Sequence, residues 1–138
     1  MNLKKVTVFA APLLVAAALM PGFGKPSFPT GNDLLGTWKG SSKGYQGDLY
    51  KTGEAVKIII TEAKGKAFKG YVIHSRLGEP ARRETVNGFI AATGDVFATD
   101  SNGFYDMKLY ENGSLGIVYR ENSPKQVAST MFGLYNLK

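Results

Sequence analysis

From about residue 34 onward, apolar and polar residues alternate in short runs, which is the pattern of β-strands whose two faces meet different surroundings. The stretch from Val86 to Tyr119 shows this most clearly, as four runs separated by turn-forming residues. Its turns are Thr93-Gly94-Asp95, Ser101-Asn102-Gly103 and Glu111-Asn112-Gly113. An Asn-Gly pair between two alternating runs is the strongest short-range hairpin signal, because both residues tolerate the positive φ angles of tight turns. The stretch therefore predicts an antiparallel meander.

Further runs on either side of the meander also predict strands. Val56 to Glu62 is dominated by β-branched residues and is too short for a helix. The segment from Ser42 to Gly53 contains three glycines, which predicts a mobile loop. A short strand at 48–51 within this loop is compatible with the same pattern. Eight strands are predicted, at about residues 34–41, 56–62, 67–75, 83–92, 95–100, 104–110, 114–120 and 127–137.

The short loops between these strands predict that neighbours in sequence are also neighbours in the sheet. An open eight-stranded sheet would leave two exposed edges, which invite aggregation, whereas closure removes both. We therefore predict an all-β fold in which an antiparallel up-and-down meander closes into a small barrel. A two-sheet β-sandwich is the alternative. Glycines within predicted strands permit the bends of a small barrel; they are Gly70, Gly88, Gly116 and Gly133.

The N-terminus has a different character. Lys4 and Lys5 precede an apolar run from Val6 to Met20, which is the anatomy of a secretory signal peptide. A spanning helix needs about twenty apolar residues, so the run is short for a membrane anchor. Small residues suit cleavage after Ala18 or after Gly24. We predict a signal peptide at 1–24, a linker at 25–33 and a single barrel domain at 34–138, exported to the periplasm or beyond with no stable membrane anchor after cleavage.

Composition limits how the exported domain is stabilised and what it attracts. The 138 residues include no cysteine, so no disulfide supports the fold. Lys and Arg number 17 against 11 Asp and Glu, a formal net charge of +6. Cleavage after Gly24 would remove two lysines and no acid, which lowers that charge to +4. This modest basic balance is no signature of nucleic-acid binding, and we predict no nucleic-acid partner.

The residues Gly36-Thr37-Trp38 open the predicted meander. This layout resembles the calycin superfamily, in which lipocalins begin with a Gly-x-Trp motif and avidins with a Gly-Thr-Trp motif. The resemblance implies a barrel whose closed end is plugged by Trp38. Avidin-type proteins line a biotin pocket with several tryptophans, and Trp38 is the only one in this chain, so biotin is not the expected ligand.

Catalytic and metal chemistry find little support in the sequence. His74 is the only histidine, and a metal site needs several ligands. Asp100 to Gly103 resembles part of a calcium loop, but Ala98 and Leu109 occupy positions that need acids, so we expect a hairpin turn. Glu79 and Glu84 flank two arginines, as expected of a solvated loop. We predict no enzyme activity, no metal and no cofactor.

Aromatic residues recur on successive predicted strands, and tyrosine in particular suits a pocket for a small amphipathic molecule. We therefore predict an exported, non-enzymatic barrel that binds a small apolar or amphipathic ligand. The alternative is an envelope protein-interaction or structural module with a filled core. The candidate ligand-binding residues are Trp38, Tyr71, Asn87, Phe89, Phe97, Tyr105, Tyr119 and Phe132.

Overall fold

A computed structural model of the protein describes residues 28–75, 80–121 and 126–137. The predicted signal peptide and the first part of the predicted linker lie outside the described residues, so both stay predictions. In the described part of the chain, no helix has the length and apolar character needed to cross a bilayer.

One short helix and eight strands make up the described fold. The helix is α1 (Gly31–Leu34). The strands are β1 (Gly36–Gln46), β2 (Leu49–Lys64), β3 (Ala67–Ser75), β4 (Arg82–Ile90), β5 (Val96–Thr99), β6 (Gly103–Leu109), β7 (Ser114–Glu121) and β8 (Val127–Leu137).

The strands form a closed antiparallel barrel in which each pairs with its neighbours in sequence. The barrel closes because β1 also pairs with β8, from Thr37 opposite Leu137 to Gln46 opposite Val127. The predicted eight-stranded meander and its closure are confirmed, and the sandwich alternative is excluded. We call the end where β1 ends and β2 begins the mouth, and the end that carries α1 the closed end.

The prediction of a mobile loop at 42–53 was wrong. The segment is a hairpin that prolongs β1 and β2 at the mouth, and Tyr45 lies opposite Tyr50 with ring centroids 5.1 Å apart. Gly47 makes the turn with a positive φ of 58°, and Gly53 (φ 72°) accommodates a bulge in β2. Gly47 and Gly53 therefore form a turn and a bulge within a paired hairpin. The aromatic cross-strand pair of Tyr45 and Tyr50 stabilises this hairpin.

The end of the predicted linker is folded onto the closed end. Asp33 accepts hydrogen bonds from the backbone N–H and hydroxyl of Thr30, at 2.7 and 2.8 Å, and this fixes the start of α1. Leu34 is 1% exposed, and its carbonyl accepts a 2.8 Å hydrogen bond from the Trp38 indole N–H. Trp38 thus lies buried at the closed end, the position that the calycin resemblance implies.

Apolar side chains fill the barrel interior from the closed end upward. They alternate with exposed residues along each strand, as the two-residue period requires. The largest of the fully buried side chains are Trp38, Tyr105, Leu34, Ile58, Leu115, Met131 and Leu134. The closed end is therefore a packed core, and open space in the interior is found toward the mouth.

Candidate functional site

A cavity of about 170 Å³ lies at the mouth of the barrel. Its walls come from the mouth ends of β1, β2, β3, β4, β7 and β8, together with the β5–β6 turn. Because the strands place one residue in two inside the barrel, the inward residues nearest the mouth line this cavity. Many of these residues are polar or charged, in contrast to the apolar interior below them.

One wall of the cavity is acidic. Glu84 of β4 and Glu121 of β7 line it, and Asp100 of the β5–β6 turn interacts with Glu84 beside them. Asp100 accepts hydrogen bonds from the backbone N–H groups of Asn102 and Gly103, at 2.8 and 2.7 Å, so its carboxylate is fixed by the hairpin turn. The Asn102 side-chain amide donates to Glu84 at 3.3 Å. The predicted turn at 100–103 is confirmed, and it serves to hold a carboxylate in place.

Two tyrosines connect this wall to the core. The rings of Tyr105 and Tyr119 lie 4.6 Å apart, and both side chains are buried. The Tyr105 hydroxyl donates a short hydrogen bond to Asp100, and the Tyr119 hydroxyl donates to Glu121 at 3.2 Å. Burial, followed by the hydrogen bond and the charge of Asp100, raises the pKa of Tyr105 far above its ordinary value. Burial, followed by the charges of Asp100 and Glu121, does the same to the pKa of Tyr119. Both phenols therefore stay protonated donors.

Burial also raises the pKa of Glu84, and its interaction with Asp100 and the charge of Glu121 raise it further. The hydrogen bond from Asn102 acts in the opposite direction. These contributions show that negative charge is concentrated at this wall and that this charge opposes the ionisation of Glu84.

The rest of the cavity combines apolar, hydroxyl and basic groups. Val127 and Met131 of β8 give it an apolar surface beside Ser129. Ser42 of β1 is 6% exposed and lies opposite Met131 on the neighbouring strand. The basic residues at the rim of the cavity are Lys43, Lys51, His74 and Arg82.

The structure places the predicted ligand-binding residues at three different levels. Tyr119 lines the mouth cavity, and Tyr105 packs against it. Trp38 lies in the core at the closed end. The remaining five residues are on the outer surface of the barrel, as the exposed or half-buried positions of their strands show: Tyr71, Asn87, Phe89, Phe97 and Phe132.

Contacts on the outer surface involve Tyr71, Phe89 and Phe97 among these five residues. The Arg83 guanidinium lies 3.6 Å from the centroid of the Tyr71 ring. The rings of Phe89 and Phe97 are 5.6 Å apart on adjacent strands. These aromatics cover the outside of the sheet, because the positions that alternate with them, such as Val86 and Ile90 of β4, face the interior.

Sequence reasoning did not single out Ser42 or Glu121 and assigned Glu84 to a solvated loop. A usable signal was present, since Glu84 shares its face with Val86, and Glu121 shares its face with Tyr119. A polar residue two positions from a buried one, at the end of a strand, faces the barrel mouth. His74 follows the same rule, as the mouth-proximal neighbour of buried Val72.

Within the described ranges, no three His, Asp or Glu side chains are grouped so that they would hold a metal ion. The chemistry that these residues offer is hydrogen bonding and charge. No model of a known protein family matches the chain, and a search of curated proteins finds no match. Function is therefore inferred from the chemistry of the cavity.

Proposed function

We propose that the protein binds a small amphipathic molecule in the mouth cavity, without converting it chemically. The observation that carries the proposal is the cavity itself, open at the mouth above a core that is packed below it. Small-molecule sites are concave, and barrel mouths are among their preferred locations. An apolar patch at Val127 and Met131 beside fixed polar groups suits a ligand with both kinds of surface.

The volume indicates the size of the ligand. A protein cavity of roughly 150 Å³ accommodates benzene, so about 170 Å³ holds a molecule of similar size or one somewhat larger. Because the cavity opens at the mouth, a longer ligand would extend through the mouth into solvent.

Export remains part of the proposal. Lys4, Lys5 and the apolar run that follows them support a protein that is processed and released outside the cytoplasm. The closed barrel is compatible with the calycin layout, and we propose that the chain is a distant relative of those binding proteins.

Native mass spectrometry of the protein purified from its own host tests the binding and the export together. We expect a polypeptide that begins after Ala18 or Gly24 and a second species that carries a small bound mass. The bound mass should disappear on denaturation and be recovered as an unmodified compound. An unprocessed chain would contradict export, whereas a processed chain without any bound mass would contradict binding.

Two substitutions on β8 locate the site. Ser129→Phe adds a ring inside the cavity, because Ser129 lines it, whereas Ala128→Phe adds the same ring at an exposed neighbouring position. We expect Ser129→Phe to abolish the bound mass and Ala128→Phe to retain it. Retention of the mass in both variants would place the ligand elsewhere.

A second candidate function follows from the outer face of the barrel. A groove of about 250 Å³ opens on β5 to β8 beside Phe97, Gly116 and Val118, and its surface is mostly apolar. An exposed apolar surface of this kind is typical of protein interfaces, which favours an envelope protein-interaction module. Val118→Lys is expected to release a partner recovered by crosslinking in the native compartment, and a monomer that crosslinks to nothing would contradict this function.

A further inference from the structure

We infer that the mouth cavity selects a ligand that carries a protonated amine next to an apolar group. The inference rests on the proposed binding function and adds the charge of the ligand to it. Two features of the described part of the cavity lead to it independently: carboxylates that form no ion pair with a described lysine or arginine, and a largely buried serine whose hydroxyl has no hydrogen-bond partner among the described residues.

The first feature is the acidic wall. Four ion pairs join described residues, and they involve Glu54, Glu62, Asp95 and Asp106. None of them includes Glu84, Asp100 or Glu121. The negative charge of this wall therefore has no lysine or arginine against it in the part of the chain that the structure describes.

The lysines and the arginine at the mouth do not change this balance. Lys51 lies 4.0 Å from Glu54, and the Lys43 ammonium lies 5.3 Å from the ring centroid of Phe132 on the outer face. Arg82 is exposed at the start of β4. Each of these cations is directed to another group or to solvent, so the acidic wall remains available to a cation that enters the cavity.

The second feature is Ser42. Its side chain faces the cavity from β1 and is only 6% exposed, and its hydroxyl forms no hydrogen bond with any described residue. Buried polar groups are almost always hydrogen-bonded. Because the Ser42 side chain is otherwise enclosed, its hydroxyl is available to hydrogen-bond a polar occupant of the cavity.

An ammonium group matches both features. It has three donors and no acceptor, and the cavity supplies acceptors at Glu84, Glu121 and the Ser42 hydroxyl. The Tyr119 ring lines the same space, and an aromatic ring attracts a cation near its face. Val127 and Met131 offer contacts to an apolar group attached to the amine.

Three probes of matched size and different charge test the inference: 2-phenylethylamine, 2-phenylethanol and phenylacetate. Isothermal titration calorimetry at pH 8 measures each dissociation constant, because an aliphatic amine is protonated at that pH and carboxylates are ionised more fully than in acid. A hydrogen bond to a charged group contributes enough free energy to change the affinity by about tenfold. We expect the amine to bind about tenfold more tightly than the alcohol and phenylacetate to bind most weakly.

Variants of the full exported protein assign the effect to the acidic wall. Glu84→Gln and Glu121→Gln should each weaken binding of the amine by about tenfold and leave binding of the alcohol nearly unchanged. Ser42→Ala should weaken the amine by roughly threefold. Glu111→Gln, in an exposed turn at the closed end, is the matched control and should change neither. NMR amide shifts caused by the amine should cluster at the mouth ends of β4 and β7.

The possible results separate this inference from the function on which it rests. Equal binding of amine and alcohol at the mouth would overturn the preference for a cation and leave the cavity as a binding site. Amine binding that survives Glu84→Gln and Glu121→Gln would also overturn the inference. Absence of binding by all three probes, together with a host-purified protein that carries no bound mass, would overturn both.

Discussion

At the scale of single residues, the mouth is distinguished by polar side chains placed where the packed interior ends. Glu84 and Glu121 sit one inward position beyond Val86 and Tyr119, so the alternation that builds the core also delivers carboxylates to the cavity. Tyr105 links the two regions, since its ring packs in the core and its hydroxyl donates to Asp100. Acidic groups concentrated in this way repel one another when ionised, which lowers the stability of the folded protein at neutral pH.

Replacement of Glu84 measures that cost. Burial and the neighbouring carboxylates raise the pKa of Glu84 in the folded protein above its value in the unfolded chain. The folded state therefore binds the proton more tightly, so the associated stability is present in acid and is lost as the pH rises through the folded-state pKa. Because the side chain is partly solvated, we expect Glu84→Gln to raise the melting temperature by only about 2 °C at pH 8.

Measurement of the melting temperature at two pH values separates the effect of the Glu84 charge from other effects of the substitution. At pH 4 the gain should shrink toward zero, since the wild-type carboxyl is then largely protonated. Glu111→Gln in its exposed turn should leave the melting temperature unchanged at both values. A Glu84→Gln protein that is less stable than the wild type at pH 8 would contradict this account of the acidic wall.

At the scale of secondary-structure elements, the sequence predicted most strands to within a few residues. The Asn-Gly turns of the meander and the β-branched run of β2 are strong local signals, and local sequence decides such features. The hairpin at 42–53 was missed because its order depends on the pairing of Tyr45 with Tyr50 and on the pairing of β1 with β8. The pairing of β1 with β8 joins segments that lie far apart in sequence, so no local pattern contains it.

Close approach of neighbouring strands also depends on glycine in the barrel wall, and Gly70 is the clearest case. A Cβ atom at Gly70 of β3 would lie 1.9 Å from the carbonyl oxygen of Ile59 on β2, at the point where the β2–β3 register shifts. Gly70→Ala is therefore expected to destabilise the fold by about 3 kcal/mol, measured by chemical denaturation.

Gly53→Ala provides the contrast, because a Cβ there meets nothing within 4 Å and the backbone φ of 72° is the only obstacle. Its expected cost is about 1 kcal/mol. Equal costs for the two substitutions would show that the close approach at Gly70 does not constrain the barrel.

At the scale of the whole molecule, closure into a barrel follows from the need to protect two sheet edges, so the sequence predicted it correctly. The candidate site was harder to predict, because a shift of one residue in register exchanges the inner and outer faces of a strand. Phe89 and Gly88 illustrate this: the ring lies outside, and the glycine faces Phe68 in the interior. Tyr105 and Tyr119 face the interior, whereas Tyr71, Phe89 and Phe97 of β3 to β5 cover the exterior.

The central claim is that the mouth cavity holds a small molecule in the native protein. A high-resolution crystal structure of the protein purified from its own host tests this most directly. We predict density for a compact molecule between Ser42 and the carboxylates of Glu84 and Glu121, above a packed core. A mouth occupied only by ordered water, or density confined to the outer groove beside Phe97, would contradict the account.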